Sequence, residues 1–166
     1  MTTLAISLFF HFCATVIWVG GLVVTSLMVY PEVQRSLTKH PDLNQFLLGL
    51  HKRFNNWSNF ALAILIVTGL VQMSLDNNYD GMMQFDNDWS RIMLIKHIVI
   101  IAMVLTGLVL QYVIVPALER TSLLLRKGKG NESELNTLHQ RELRLTWFNT
   151  GLGIAVLALS ALAGSL

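Results

Sequence analysis

The chain has 166 residues, of which 53% are hydrophobic and only 13% charged, about half the roughly 25% charged fraction of ordinary soluble domains. That balance, with a mean hydropathy of +0.53, excludes a soluble globular domain and indicates an integral membrane protein. The net charge is only +2, and the single cysteine, Cys13, excludes an internal disulfide and a cysteine-rich metal site.

The first apolar run, Thr3–Tyr30, is longer than a signal-peptide core and lacks a basic leader and a clear cleavage site, so a retained helix is expected. Residues 31–56 follow, with Arg35, Lys39, Lys52 and Arg53. The second run, Trp57–Leu75, leads into residues 76–88, which hold Asp76, Asp80, Asp86 and Asp88 and no Lys or Arg. The third run is Trp89–Leu118. Residues 119–146 then carry Arg120, Arg126, Lys127, Lys129, Arg141 and Arg144 before the last run, Trp147–Leu166. Each run approaches the ~20 residues, at ~1.5 Å each, that a helix needs to cross a bilayer. The fold class expected is all-α: an integral membrane four-helix bundle, one domain over residues 1–166. The positive-inside rule puts both basic loops in the cytoplasm and the acidic loop and both termini outside.

Leu43–Asn56 and Ser133–Thr146 consist mostly of helix formers, so helices two and four should extend beyond the membrane at the inner side. "KGKGN", Lys127–Asn131, reads as a flexible turn. Pro31 and Pro116 lie where helices one and three near the inner surface, and a proline there is expected to end or kink its helix.

The two halves, about 1–80 and 86–166, repeat. With His11 laid on His97, "GLV" at Gly21–Val23 falls on "GLV" at Gly107–Val109; "LHKR" at Leu50–Arg53 resembles "LHQR" at Leu138–Arg141; "WSNFALAI" from Trp57 resembles "WFNTGLGI" from Trp147. The ordered series implies two related helical hairpins and a pseudo-two-fold axis along the membrane normal.

His11 lies eight residues from Thr3 and His97 eight from Trp89, so both sit about 12 Å below the outer ends of their helices by the helical rise. Ionisable groups at that depth are costly unless paired or ligated. Two facing imidazoles with no third protein ligand suit the axial positions of a haem, whose porphyrin supplies the other four nitrogens. The competing reading is two hydrogen-bonded core histidines. His51 and His139 form a second matched pair about 24 Å further in, by the same rise. They suit either a second haem or a solvated interface, and His40 reads as a loop residue.

Lys96 either snorkels to the outer surface or pairs with a haem propionate. Trp18, seven residues after His11 and on the same face, either packs on a porphyrin or belongs to the bundle core. Met73, Met82, Met83 and Met93 offer soft thioethers of the kind that suit Cu(I), without a compact array. Gly151, Ala155 and Ala158 form a small-residue stripe that permits close helix contact within the bundle or in a homodimer. No phosphate loop, nucleophile elbow or zinc-protease motif is present.

"HFCATVIWVGGL" in helix one, "LIKH" in helix three and "QRELRLTWFNTGLG" leading into helix four together resemble the CopD-like membrane family. That family includes the copper-resistance protein D transmembrane domain and, more distantly, the HemJ-type protoporphyrinogen oxidases. The HemJ resemblance implies a haem b held through His11 and a functional lysine, Lys96; the copper-resistance resemblance implies a copper role in the bacterial inner membrane. The chain departs from the HemJ pattern in having His97 beside Lys96 and His51 beside Lys52, which favours electron transfer over porphyrinogen oxidation. The expected function is thus a membrane protein with one or two haem b groups on His11, His97, His51 and His139. Its expected partners are lipid, a quinol or redox protein, and a second copy, with no nucleic acid. Copper transport or resistance and porphyrinogen oxidation are the alternatives.

Overall fold

A computed structural model describes residues 2–29, 31, 43–76 and 88–165, apart from the side chains of residues 43–48, 51 and 52. His40, Met82 and Met83 lie outside the described residues, as does the side chain of His51. Four helices are long and apolar enough to cross a membrane. They are α1 (Thr2–Val29), α2 (Leu43–Ser74), α3 (Asp88–Arg126) and α4 (Glu132–Ala163). The fold is an all-α membrane bundle.

The apolar surface is turned outward. Phe9, Phe12, Val16, Ile98 and Phe148 are all more than half exposed, as expected where lipid tails, as apolar as leucine, are the solvent and the interior must be held by close packing and hydrogen bonds. Serine and threonine supply several of these bonds. In α1, Ser7 Oγ donates to the Thr68 carbonyl of α2 (3.2 Å), and Gln72 Nε2 returns a bond to the Ser7 carbonyl (3.4 Å). Further along, the buried hydroxyls of Ser26 and Thr150 lie 2.7 Å apart and join α1 to α4.

Consecutive helices form two hairpins, α1 with α2 and α3 with α4. Between the hairpins, α1 packs on α4 and α2 on the last stretch of α3. At the centre, Val19 and Leu22 of α1 meet Met103 of α3, which is fully buried. Gly153 of α4 lets this cluster close, because a Cβ there would stand only 3.3 Å from both Met103 Cε and Val19 Cγ1. The stripe Gly151, Ala155, Ala158 does not make the contact: Gly151 and Ala158 are exposed, and nothing lies within 4 Å of a Cβ built on Gly151.

α2 and α4 each run for 32 residues, about 48 Å by the helical rise and well beyond a hydrocarbon core of ~30 Å. Their excess length lies at the end of the bundle that carries the basic residues, as the helix-forming composition of both segments requires. α3 was expected to stop near Leu118 but continues to Arg126. Pro116 does not break it, because the preceding stretch, Leu110–Ile114, winds as a π-helix and absorbs the hydrogen bond that a proline nitrogen cannot make. Beyond it, Ile114 and Leu118 pack on Leu135 of α4 and extend the hairpin. Two further π-helical stretches, Val16–Gly20 and Thr25–Val29, occur in α1.

The turn at Lys127–Asn131 is well specified. Gly128 takes φ +69°, and the amides of Gly128 and Lys129 donate back to the carbonyls of Leu125 and Leu124, at 3.0 Å each. This is the glycine-dependent way to satisfy the last carbonyls of a helix. Asn131 then caps α4, its Oδ1 accepting from Ser133 N at 2.9 Å, while Glu132 and Glu134 favour the positive end of the new helix dipole.

Candidate functional site

His11 is the ninth residue after Thr2 and His97 the ninth after Asp88, so both lie about 13–14 Å along their helices from the end that carries Asp76 and Asp88. Both side chains line one cavity, as do Lys96, Trp18, Met93 and Met103. All four helices contribute to its wall, and with its open mouth included it takes in about 910 Å³ of empty space. Apart from these groups the lining is mainly aliphatic.

The hydrogen bonds of the two imidazoles determine which nitrogen each leaves free. His11 Nδ1 lies 2.8 Å from Thr68 Oγ1, and that hydroxyl gives its own proton to the Ile64 carbonyl at 2.6 Å. Thr68 must therefore accept from His11, so the proton is on Nδ1 and the lone pair of a neutral ring is on Nε2. His97 Nδ1 lies 2.6 Å from the Met93 carbonyl, which can only accept, and the same logic leaves its Nε2 bare. An imidazole whose Nδ1–H is held by a hydroxyl or carbonyl is oriented as metal-ligating histidines are. Gly69 lies beside the His11 ring, where a Cβ would stand 3.7 Å from Cε1, an ordinary contact.

Lys96 is half-buried against the same cavity. Among the described residues it has no acidic partner. A half-buried ammonium at this depth either reaches the outer surface or pairs with an anionic group on whatever fills the cavity. Trp18, one of the two expected uses of which was core packing, does pack on the Val19, Leu22 and Met103 cluster while its other surface lines the cavity.

Of the remaining sequence candidates, those whose side chains the structure describes do not line this cavity. His139 is half-buried and turns to Glu142, with Nδ1 3.4 Å from Oε2. Cys13 is exposed on the far side of α1 from His11. Among the described residues, no three His, Cys, Asp or Glu side chains gather as a metal-holding group.

A second cavity, toward the basic end, had no counterpart in the sequence reading. It encloses about 710 Å³ with its mouth and is separated from the first by Trp18 and Leu62, which line both. Glu142, Thr146 and Asn149 of α4 and Ser58 of α2 line it, and all four are buried, Glu142 and Asn149 to within 2%. The signal was present as polar residues spaced by four and then three along an otherwise apolar helix, which places them on one face; attention to histidines alone passed over it.

The copper resistance protein D family model matches residues 48–163, more than half of the chain. The match takes in α3 with Lys96 and His97 and the whole of α4, and begins after α1 with His11. Neither a curated protein nor a solved structure matches the chain.

Proposed function

From the premise that this chain belongs to the copper resistance protein D family, and is thus a multi-pass membrane protein, we propose that the cavity between His11 and His97 holds a haem b and that the protein transfers electrons. The observation that carries this reading is the pair of imidazoles on one apolar cavity, each with Nδ1 engaged and Nε2 bare. The donor set fits the group. A bare ion would find two nitrogens in a space far larger than itself, whereas a porphyrin brings four more nitrogens and needs only the axial pair.

When bound, the haem supplies a one-electron ferric/ferrous couple. Thr68 and the Met93 carbonyl hold the His11 and His97 rings against rotation, so these two side chains would be the ones to hold the group. Lys96 offsets the charge of a carboxylate on the ligand, so neither charge is buried alone. Trp18 closes the inner wall, and the aliphatic lining excludes water. In this reading the chain lies in a bacterial inner membrane with the basic end and its donor, a quinol or redox protein, on the cytoplasmic side and the acceptor outside. His51 and His139 belong to it as candidates for a second haem, and the exposed stripe of α4 as a face for a second copy.

One observation favours a second reading. The thioethers of Met93 and Met103 line the same cavity as the two imidazoles, and a mixed nitrogen and sulfur set suits Cu(I), in keeping with the family. Reduced-minus-oxidised spectroscopy and metal analysis of the purified protein separate the two. Haem bands with copper at background are expected, and His11→Ala or His97→Ala should abolish the low-spin signal while His40→Ala leaves it unchanged. Copper without haem, or full haem content in both alanine variants, would overturn the haem assignment.

A further inference from the structure

The cavity toward the basic end has features of a ligand site of its own. Asn149 Oδ1 and Ser58 Oγ are buried there with no hydrogen-bond partner among the described residues. Asn149 is 2% exposed and Ser58 8%. A buried polar atom left unpaired costs about 1–3 kcal/mol, so two of them beside one empty space indicate that something else completes them. The two come from different helices, α2 and α4, and therefore bracket the cavity rather than crowd one wall.

The rest of the lining narrows the chemistry. Trp18 and Phe54 offer aromatic faces, and Leu22, Leu62, Val104 and Leu108 add aliphatic surface. Among the described residues no Lys or Arg lines it, and the described wall is that of a site for a neutral group. The space is too large for a dehydrated ion. The aromatic and aliphatic lining suits a flat, neutral ring of a membrane-soluble molecule entering through the open mouth, with hydroxyl groups that donate to Asn149 Oδ1 and bond to Ser58 Oγ. Glu142 lines the same cavity with His139 behind it at 3.4 Å, which provides a further acceptor on the α4 side.

We propose that the cavity bounded by Ser58, Asn149, Glu142 and Trp18 binds the headgroup of a lipid-soluble hydroquinone. The site rests on these residues; the redox class of the ligand rests on the electron-transfer reading. Its position adds to that reading, because Trp18 and Leu62 border both this cavity and that of His11 and His97, so a ring here would neighbour a group held there.

The test is direct binding. A short-chain hydroquinone, decyl-hydroquinone, is titrated into purified protein in lipid nanodiscs, followed by isothermal calorimetry and by quenching of tryptophan fluorescence, with empty nanodiscs as the partition control. Saturable binding of one molecule per chain is expected. It should weaken roughly tenfold in Asn149→Ala and several-fold in Ser58→Ala, as the loss of one buried hydrogen bond predicts. Ser58→Thr, which keeps the hydroxyl, should bind within about twofold of the unaltered chain and confirms that the fold is intact. Protein carrying no haem should bind the hydroquinone with the same affinity, so a failure of the haem assignment leaves this result standing. No saturable binding beyond the nanodisc control, or equal affinity in Asn149→Ala and Ser58→Ala, would overturn the site.

Discussion

Thr68→Val isolates one hydrogen bond at the proposed haem site. Valine keeps the branched shape of threonine and removes only the oxygen, so no cavity opens in α2. The Ile64 carbonyl loses a side-chain donor but lies within a regular helix. The His11 Nδ1–H loses its acceptor at 2.8 Å. Hydrogen bonds between membrane helices average only about 0.6 kcal/mol, reaching about 1.7, so the loss of fold stability should be small, on the order of 1 kcal/mol. The effect on the ligand should be larger. Removing a group that orients a metal-ligating histidine typically costs 10–100-fold in affinity, which is about 1.4–2.7 kcal/mol. Haem titrated into the haem-free protein in detergent, with thermal unfolding followed in parallel, measures both quantities. Thr68→Ser should restore affinity because it keeps the acceptor. Unchanged affinity in a folded Thr68→Val, or equal weakening in the serine and valine variants, would refute the argument that this hydroxyl sets the ring.

Three further outcomes are expected. At Gly21 a Cβ would collide with the ring of Phe54, so Gly21→Ala should lower the melting stability by about 1–3 kcal/mol, the usual cost of overpacking. Phe54→Ala in the same chain should recover part of it, and an additive double variant would contradict the contact. A reporter fused after Leu166 should be active outside the cytoplasm and one at Gly128 inside, from the four acids of residues 76–88 against the flanking basic segments; the opposite pattern would invert every depth assigned above. Haem-to-protein stoichiometry addresses His51 and His139: two haems falling to one in the double alanine variant supports a second site, and one haem unaffected by it removes that site.

How much was legible depended on whether the signal was local. The four apolar runs and the helical extension of α2 and α4 are statements about composition over a window, and they survive in three dimensions because lipid leaves few other options for such segments. The equal depth of His11 and His97 followed from counting along regular helices. The partners that give those rings their orientation did not follow, since Thr68 is 57 residues from His11 and resembles any other hydroxyl in an apolar helix. Pro116 misled because the local rule concerns α-helices, and the chain changed helix type just before it. Of the two uses open to the small-residue stripe, the contact inside the bundle is made by its neighbour instead: Gly151 and Gly153 are two residues apart, about 200° round the helix, and only the second faces Met103. The polar face of α4 was readable in principle, for Glu142, Thr146 and Asn149 carry the spacing of a single face.

The π-helical stretches have a consequence for how this chain tolerates change in length. Each is a place where a helix holds one residue more than its α-helical path requires, with the surplus taken up as a local widening. A single-residue deletion in an ordinary transmembrane helix rotates everything beyond it by about 100° and ruins the packed face. Within Val16–Gly20 the same deletion would instead let the helix close to its regular winding and leave Leu22 and Ser26 turned toward their present neighbours. Such stretches are where shortened variants should still assemble, whereas a deletion four residues after His97, in the uninterrupted part of α3, should not.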